Sequence, residues 1–147
     1  MTRQPPVTIL LVDDDPLIRS LGQELLEHLG YRVAAAGDGP EALETYRQLG
    51  GADLVILDYC LPGQDGYQLL RAFKALDKRV RVLVTSGYFA PQEAARLTTG
   101  GALGLINKPY RVVELESRIE QALAGSKVWR PRLAPGVRTG KERPPPG

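Results

Sequence analysis

Five short runs of almost wholly apolar residues, each breaking off at a polar group and each followed by a segment of helical periodicity, set the strongest constraint on how this chain folds. Residues 7–12 (VTILLV) stop at Asp13, Asp14 and Asp15. A run this short and this apolar reads as a strand covered on both faces. Pro16 suits the first turn of a helix and Asp15 can cap it. Ile18, Leu21, Leu25 and Leu29 then recur at helical spacing, as a core-facing stripe, until Gly30 stops the pattern.

The unit repeats. Residues 31–36 read as a strand, Asp38-Gly39-Pro40 as a turn into a helix, and Ala42, Leu43, Tyr46 and Leu49 as its apolar face, ended by Gly50-Gly51. Residues 53–57, apolar after Asp53, form a second such run that meets Asp58. A Pro- and Gly-containing loop over 59–66 leads to a helix with Tyr67, Leu70 and Phe73 on the core. Residues 80–85 give a strand ending at Ser86-Gly87, residues 91–97 a short helix, and residues 102–106 a last strand ending at Asn107-Lys108-Pro109. Val112, Leu115, Ile119 and Leu123 mark a closing helix.

Five strands alternating with five helices predict a doubly wound α/β domain: a parallel sheet with helices on both faces and right-handed crossovers. Ligands in such sheets sit beyond the carboxyl ends of the strands, where the strand order reverses. The first strand ends at Asp13 and Asp14, the third at Asp58, the fourth at Ser86 and the fifth at Lys108. Carboxylates gathered in one pocket repel one another unless a cation joins them, and hard oxygen donors suit Mg2+. A lysine and a hydroxyl beside that ion supply a point charge and a neutral donor for a phosphoryl group. Asp13 and Asp14 are adjacent and suited to the metal; Asp58 stands alone and is the better nucleophile. Positioning and charge neutralisation account for most of the acceleration in phosphoryl transfer.

Composition narrows the setting. A chain of 147 residues fits one ordinary domain, able to bury about two thirds of the surface that its unfolded form exposes. Cys60 alone makes no internal disulfide, and with the single His28 it forms no zinc cluster; a reducing compartment is expected. No apolar stretch is long enough to span a bilayer, and the first six residues (MTRQPP) lack a signal peptide's apolar core, so a cytoplasmic protein without a membrane partner is expected. The formal charge of +2 hides an asymmetry. Residues 1–124 carry 13 basic and 16 acidic side chains, net −3, whereas residues 125–147 carry six basic and one acidic, net +5. Five of the twelve prolines fall in that last segment. The expected organisation is a lead over 1–6, a domain over 7–124 and a basic, Pro-rich, disordered tail over 125–147.

Four segments, ILLVDDDP, LVILDYCLPGQDG, VLVTSGY and GLINKPY, resemble in order and spacing the signature stretches of response-regulator receiver domains of two-component signalling. The resemblance covers residues 7–123. It implies the flavodoxin-like strand order 2-1-3-4-5. It also implies that Asp58 is the phosphoacceptor, that Asp13 and Asp14 are the acidic pair holding Mg2+, and that Cys60 lends its backbone carbonyl to the metal. Ser86 matches the hydroxyl that moves toward the phosphate, Gly87 the small residue that leaves the phosphoryl group access, and Lys108 the conserved-type lysine, followed by a cis bond to Pro109. Tyr88 and Cys60 match positions that tune the lifetime of the phosphorylated state. One departure stands out: where the family often carries an aromatic switch residue, this chain has Leu105.

The resemblance further implies partners: a histidine kinase or histidine phosphotransfer protein as donor, and a downstream protein recognising the face made by the fourth helix, fifth strand and fifth helix. A phosphorylation-dependent homodimer is compatible with it, as are a stand-alone receiver and a receiver from a larger protein such as a hybrid histidine kinase. Two other readings stay open at this point. One is a Mg2+-dependent phosphohydrolase of the haloacid-dehalogenase kind using Asp13 and Asp15, although the chain lacks room for a cap domain. The other is an anion binder acting through the basic tail. No direct DNA binding is expected, since 23 Pro-rich residues after the fifth helix make no helix-turn-helix.

Overall fold

Each apolar run becomes a strand of one sheet. A computed structural model of the chain describes residues 6–61 and 63–124. In chain order the elements are β1 (Thr8–Val12), α1 (Pro16–His28), β2 (Arg32–Ala36), α2 (Gly39–Gln48), β3 (Leu54–Asp58), β4 (Cys60–Leu61), β5 (Gln64–Asp65), α3 (Gly66–Leu76), β6 (Val82–Ser86), α4 (Pro91–Thr99), β7 (Gly104–Asn107) and α5 (Val112–Ala124). The principal sheet is wholly parallel in the order β2-β1-β3-β6-β7. Counting only its five members in sequence, this is the expected order 2-1-3-4-5. The reversal falls between β1 and β3, which pair from Ile9 with Leu54 to Val12 with Leu57.

The pattern of burial follows from position in the sheet. Every residue of β3 and β6 is buried, while the edge strand β2 is buried only at Ala36. One set of alternate strand residues, Leu10, Val12, Val55, Leu57, Val82 and Val84, packs with Ala42 and Tyr46 of α2, Leu69, Leu70 and Phe73 of α3, and Leu97 of α4. Their neighbours point to the other face by strand alternation. There α1 lies so close that a Cβ on Gly22 would meet Leu11, and Leu26 of α1 with Leu115 and Ile119 of α5 are fully buried. Burying each such Leu or Ile contributes about 1.5–3 kcal/mol.

The predicted boundaries hold to within a residue or two, and the caps are those the sequence offers. Asp15 accepts the amides of Leu17 and Ile18, and Asp38 accepts that of Glu41. Gly30 ends α1 with φ 101°, and Gly50 and Gly51 end α2 with φ 72° and 107°. Asp65 and Gln68 close a reciprocal capping box at the start of α3.

Four expected core residues are not in the core. Ile18 and Leu21 are 42% and 54% exposed, and Leu49 and Val112 stand out of their helices to a similar extent. The side of α1 that meets the sheet instead runs through Gly22 and Leu26, four residues apart, and at 3.6 residues per turn Leu21 stands about 140° round the helix from Leu26. A second difference lies in the loop after Asp58. It contains a two-residue antiparallel ribbon, Cys60 with Asp65 and Leu61 with Gln64, too short to leave a periodic signal. Cys60 is exposed on that ribbon. One compact unit spans Pro6–Ala122. The expected lead over residues 1–5 and the expected tail over residues 125–147 lie outside the described residues. Among those that are described, no helix is long and apolar enough to cross a membrane.

Candidate phosphoacceptor site

Asp13 follows β1 directly, Asp58 is the last residue of β3, Ser86 is the last of β6, and Lys108 follows β7. Parallel strands in register end at one edge, so these four residues are delivered to a single pocket at the reversal of strand order. Backbone bonds lock the edge together: Asp13 N–H donates to Ala36 O at 3.1 Å, Tyr59 N–H to Thr85 O at 2.8 Å and Lys108 N–H to Ser86 O at 2.8 Å.

In the pocket, Lys108 Nζ donates to Asp13 Oδ2 at 2.9 Å and lies 3.5 Å from Asp58 Oδ2. Carboxylate oxygens of Asp13, Asp14 and Asp58 all fall within 4.8 Å of one another. Asp13 and Asp58 are buried, and Asp14 faces solvent. Three hard oxygen donors, two inside and one on the open side, fit Mg2+, which retains several waters and takes few protein carboxylates. The Lys108–Pro109 bond is cis.

The acids are individually oriented. Asp13 Oδ1 accepts Asp15 N–H at 3.0 Å, and Asp58 Oδ1 accepts Cys60 N–H at 3.3 Å. Burial dominates the titration of Asp58 and raises its pKa above the ordinary carboxylate value, since Lys108 and the Cys60 amide only partly offset it and the charge of Asp13 adds to it. Burial works against the Lys108 ammonium, but its hydrogen bond to Asp13 and the charges of Asp58 and Asp13 outweigh that, and its pKa is raised. At neutral pH the lysine is therefore a fixed cation between two acids. The Cys60 thiol is also pushed up, by burial and then by the charge of Asp58, which favours the inert thiol over the thiolate.

Of the residues singled out from sequence, Asp13, Asp14, Asp58 and Lys108 are brought together. The backbone of Ser86 anchors Lys108, but the Ser86 hydroxyl is turned to its own loop: it donates to Tyr88 O at 2.9 Å and accepts Tyr88 N–H at 3.3 Å. A Cβ built on Gly87 would meet nothing within 4 Å, so this position leaves open space beside the strand end. Asp15, which the phosphohydrolase reading needs, has its carboxylate committed to the cap of α1 and is not among the clustered acids. Two participants were missed. Arg19, in the first turns of α1, reaches back past the helix start to donate to Asp13 O at 2.8 Å, a spacing that leaves no trace in hydrophobic periodicity. The ring of Tyr59, next to the Asp58 backbone, meets Phe89 edge to face at 6.2 Å, a contact between segments far apart in the chain.

A family model described as response regulator receiver domain matches residues 9–120, most of the chain and all of this site. The chain belongs to that family. The receiver is 33% identical over 117 residues to the sensor kinase CckA of Brucella abortus (strain 2308), covering 79% of this chain but 12% of that protein. It is 32% identical over 115 residues to sporulation initiation phosphotransferase F of Bacillus subtilis (strain 168), covering 78% of this chain and 92% of that one. Among solved structures, a receiver domain protein from Clostridium thermocellum superposes with a TM-score of 0.78 at 27% identity, covering 83% of this chain and 98% of that one. The CheX-CheY-BeF3-Mg2+ complex from Borrelia burgdorferi gives 0.74 at 27% identity, covering 78% and 87%. This receiver thus spans about an eighth of one curated relative and nearly the whole of another.

Proposed function

We propose that this receiver takes a phosphoryl group onto Asp58 from the phosphohistidine of a histidine kinase or histidine phosphotransfer protein. The observation that carries the reading is the placement of Lys108 between Asp13 and Asp58, with Asp14 beside them on the solvent side. An Asp58 carboxylate oxygen attacks phosphorus in line, the phosphorus–nitrogen bond to the donor imidazole breaks, and the imidazole, protonated at its other ring nitrogen, keeps the electron pair of that bond and leaves neutral. The product is an acyl phosphate on Asp58.

Asp13, Asp14, Asp58 and the backbone carbonyl of Cys60 are the residues that would hold Mg2+. When bound, the ion would neutralise charge building on the transferring phosphoryl oxygens. Lys108 supplies a second positive charge at the same oxygens, in exchange for part of its contact with Asp13. The Ser86 hydroxyl has to leave Tyr88 O to reach the phosphoryl group, and the open space at Gly87 admits that group. Movement of the loop after Ser86 would then reshape the face of α4, β7 and α5 for a downstream protein. With Leu105 in β7, an aromatic flip at that position is unavailable, so the loop itself has to carry the change.

The domain boundaries at 7 and 124, a cytoplasmic location and phosphorylation-dependent homodimerisation belong to the same proposal, which holds for a stand-alone receiver and for one within a hybrid kinase alike. The test is Mg2+-dependent labelling with acetyl phosphate, followed by a transfer profile against histidine kinases and phosphotransfer proteins. Labelling is expected in the wild type, retained in Asp15→Ala and abolished in Asp58→Asn. Persistent labelling of Asp58→Asn would refute the assignment, and loss in Asp15→Ala would favour the phosphohydrolase reading.

A further inference from the structure

On the side of the molecule where α3 meets α4, a groove of about 570 Å³ is lined by Tyr67, Arg71, Lys74, Arg96 and Thr99 with Gly100 at its end. Its three cations are unevenly matched. Arg96 lies 3.5 Å from Asp65 in a pair whose side chains are both more than 40% exposed, a geometry of little net stability. Among the described residues, Arg71 and Lys74 form no ion pair: Arg71 donates to Tyr67 Oη at 3.3 Å and Lys74 to Val80 O at 3.1 Å. Of the acids near the groove, Asp77 accepts Tyr46 and the Arg79 amide and feels the charge of Lys74 without pairing with it, and Glu93 accepts the Ala90 amide. A positive trough therefore stands on a body whose net charge over residues 1–124 is −3.

The trough is built rather than incidental. The Arg96 guanidinium stacks 4.2 Å over the Tyr67 ring, and Arg71 lies 5.9 Å from the same ring, so one aromatic holds two guanidinium groups in place. Gly100 keeps the floor open: a Cβ there would press on Tyr67 at 3.1 Å and on the Arg96 carbonyl at 3.1 Å. The lysine stem is held against Gly101, whose φ of 108° a side chain would strain.

We infer that this groove docks an extended, carboxylate-rich segment of a partner polypeptide. Charge complementarity sets the sign. The donors are spread along the trough, Arg71 and Lys74 one turn apart on α3 and Arg96 opposite on α4, which suits several separated carboxylates rather than one compact anion. The aromatic lining the groove is already engaged by Arg96 and Arg71, which disfavours a stacked base and hence a nucleotide. None of the clustered acids lines the groove, so its occupancy can be read in the unphosphorylated protein.

The test uses the full chain, 15N-labelled, titrated at low salt with a hexaglutamate peptide and, separately, with ATP. The expected result is that hexaglutamate shifts the amides of Tyr67, Arg71, Lys74, Arg96 and Thr99, binds more tightly than ATP, and loses at least tenfold in affinity in Arg71→Glu/Arg96→Glu. If the double variant melts early, Arg71→Glu alone, an exposed change, is expected to cost about threefold or more. Shifts confined to residues 125–147, equal affinity in the variants, tighter binding of ATP, or no binding would each overturn the inference. Because Asp58 labelling is read separately, its failure would leave this result unaffected, and the reverse holds.

Discussion

Lys108 and Asp13, 95 residues apart in the chain, meet through a 2.9 Å hydrogen bond in which an almost wholly buried carboxylate holds a partly exposed ammonium. The second acid within reach of the same ammonium, Asp58, is 3.5 Å away and has the weaker share of it. That asymmetry leaves Asp58 the less neutralised carboxylate and the one free to act as a nucleophile. Its surroundings then decide how it responds to substitution, metal and pH.

Asp58→Asn should remove labelling and, measured in EDTA, raise the melting temperature at pH 7. The sign follows from burial raising the folded-state pKa of Asp58. Over the window from about 3.9, the unfolded value, up to the folded pKa, the native state binds more protons, so stability falls as pH rises. Asn carries no charge to bury, and the advantage of the variant should fade as the wild type is protonated near pH 4. Thermal melts of both proteins from pH 4 to 8 check this; a variant less stable than wild type at pH 7 would contradict it.

Lys108→Ala should slow acetyl phosphate labelling by about 10- to 100-fold, the loss of one charge-assisted contact of about 1.5–3 kcal/mol to the transferring group. Mg2+ binding should survive, because the variant keeps all three carboxylates and loses a competing cation. Rate and metal affinity measured on the same sample separate the two effects.

Mg2+ should stabilise the wild type by about 2.7 kcal/mol when its free concentration is a hundred times its Kd. Asp13→Asn and Asp14→Asn should each lose most of that increment, whereas Asp15→Asn should lose little, since Asp15 caps α1. Melting curves with and without Mg2+ decide it, and an undiminished increment in Asp14→Asn would remove Asp14 from the site.

Gly66→Ala should destabilise the fold by about 1–3 kcal/mol through overpacking. A Cβ at residue 66 would come within 2.6 Å of the Tyr59 ring and 2.8 Å of its Cα, and backbone cannot step aside as a side-chain tip can. Denaturant midpoints would show it. Because Tyr59 adjoins Asp58, slower labelling is expected as well.

Tyr46→Phe should cost about 1 kcal/mol, the net worth of the 2.7 Å bond from the buried Tyr46 hydroxyl to Asp77. That bond, and then the Arg79 amide, lower the pKa of Asp77. A depressed carboxylate stabilises above its unfolded pKa, near 3.9, and loses that contribution as pH falls through the folded value. The gap between wild type and variant should therefore narrow below about pH 4, in chemical denaturation at pH 7 and pH 3.

Strand ends were the most legible part of the site. Asp13, Asp58, Ser86 and Lys108 each close an apolar run, and a parallel sheet in register leaves such residues no other place than one edge. Helix faces were less legible. Ile18, Leu21 and Leu25 form a periodic stripe, but the side of α1 that faces the sheet runs through Gly22 and Leu26, and only the packing of the helix selects it. The ribbon over Cys60–Leu61 and Gln64–Asp65 is two residues on a side, below any periodic signal. Arg19, Tyr59 with Phe89, and the α3–α4 trough depend on side-chain direction or on pairs distant in sequence.

Local pattern by itself determined the element order, the caps at Asp15 and Asp38, and which residues stand at the carboxyl edge, because apolar runs and turn chemistry act over a few residues. The tertiary structure alone decided that Lys108 takes Asp13 more closely than Asp58, that the Ser86 hydroxyl rests on Tyr88, and that Arg71, Lys74 and Arg96 share one groove. These outcomes turn on distances of an ångström between side chains from separate elements, and such distances are fixed only when the elements pack.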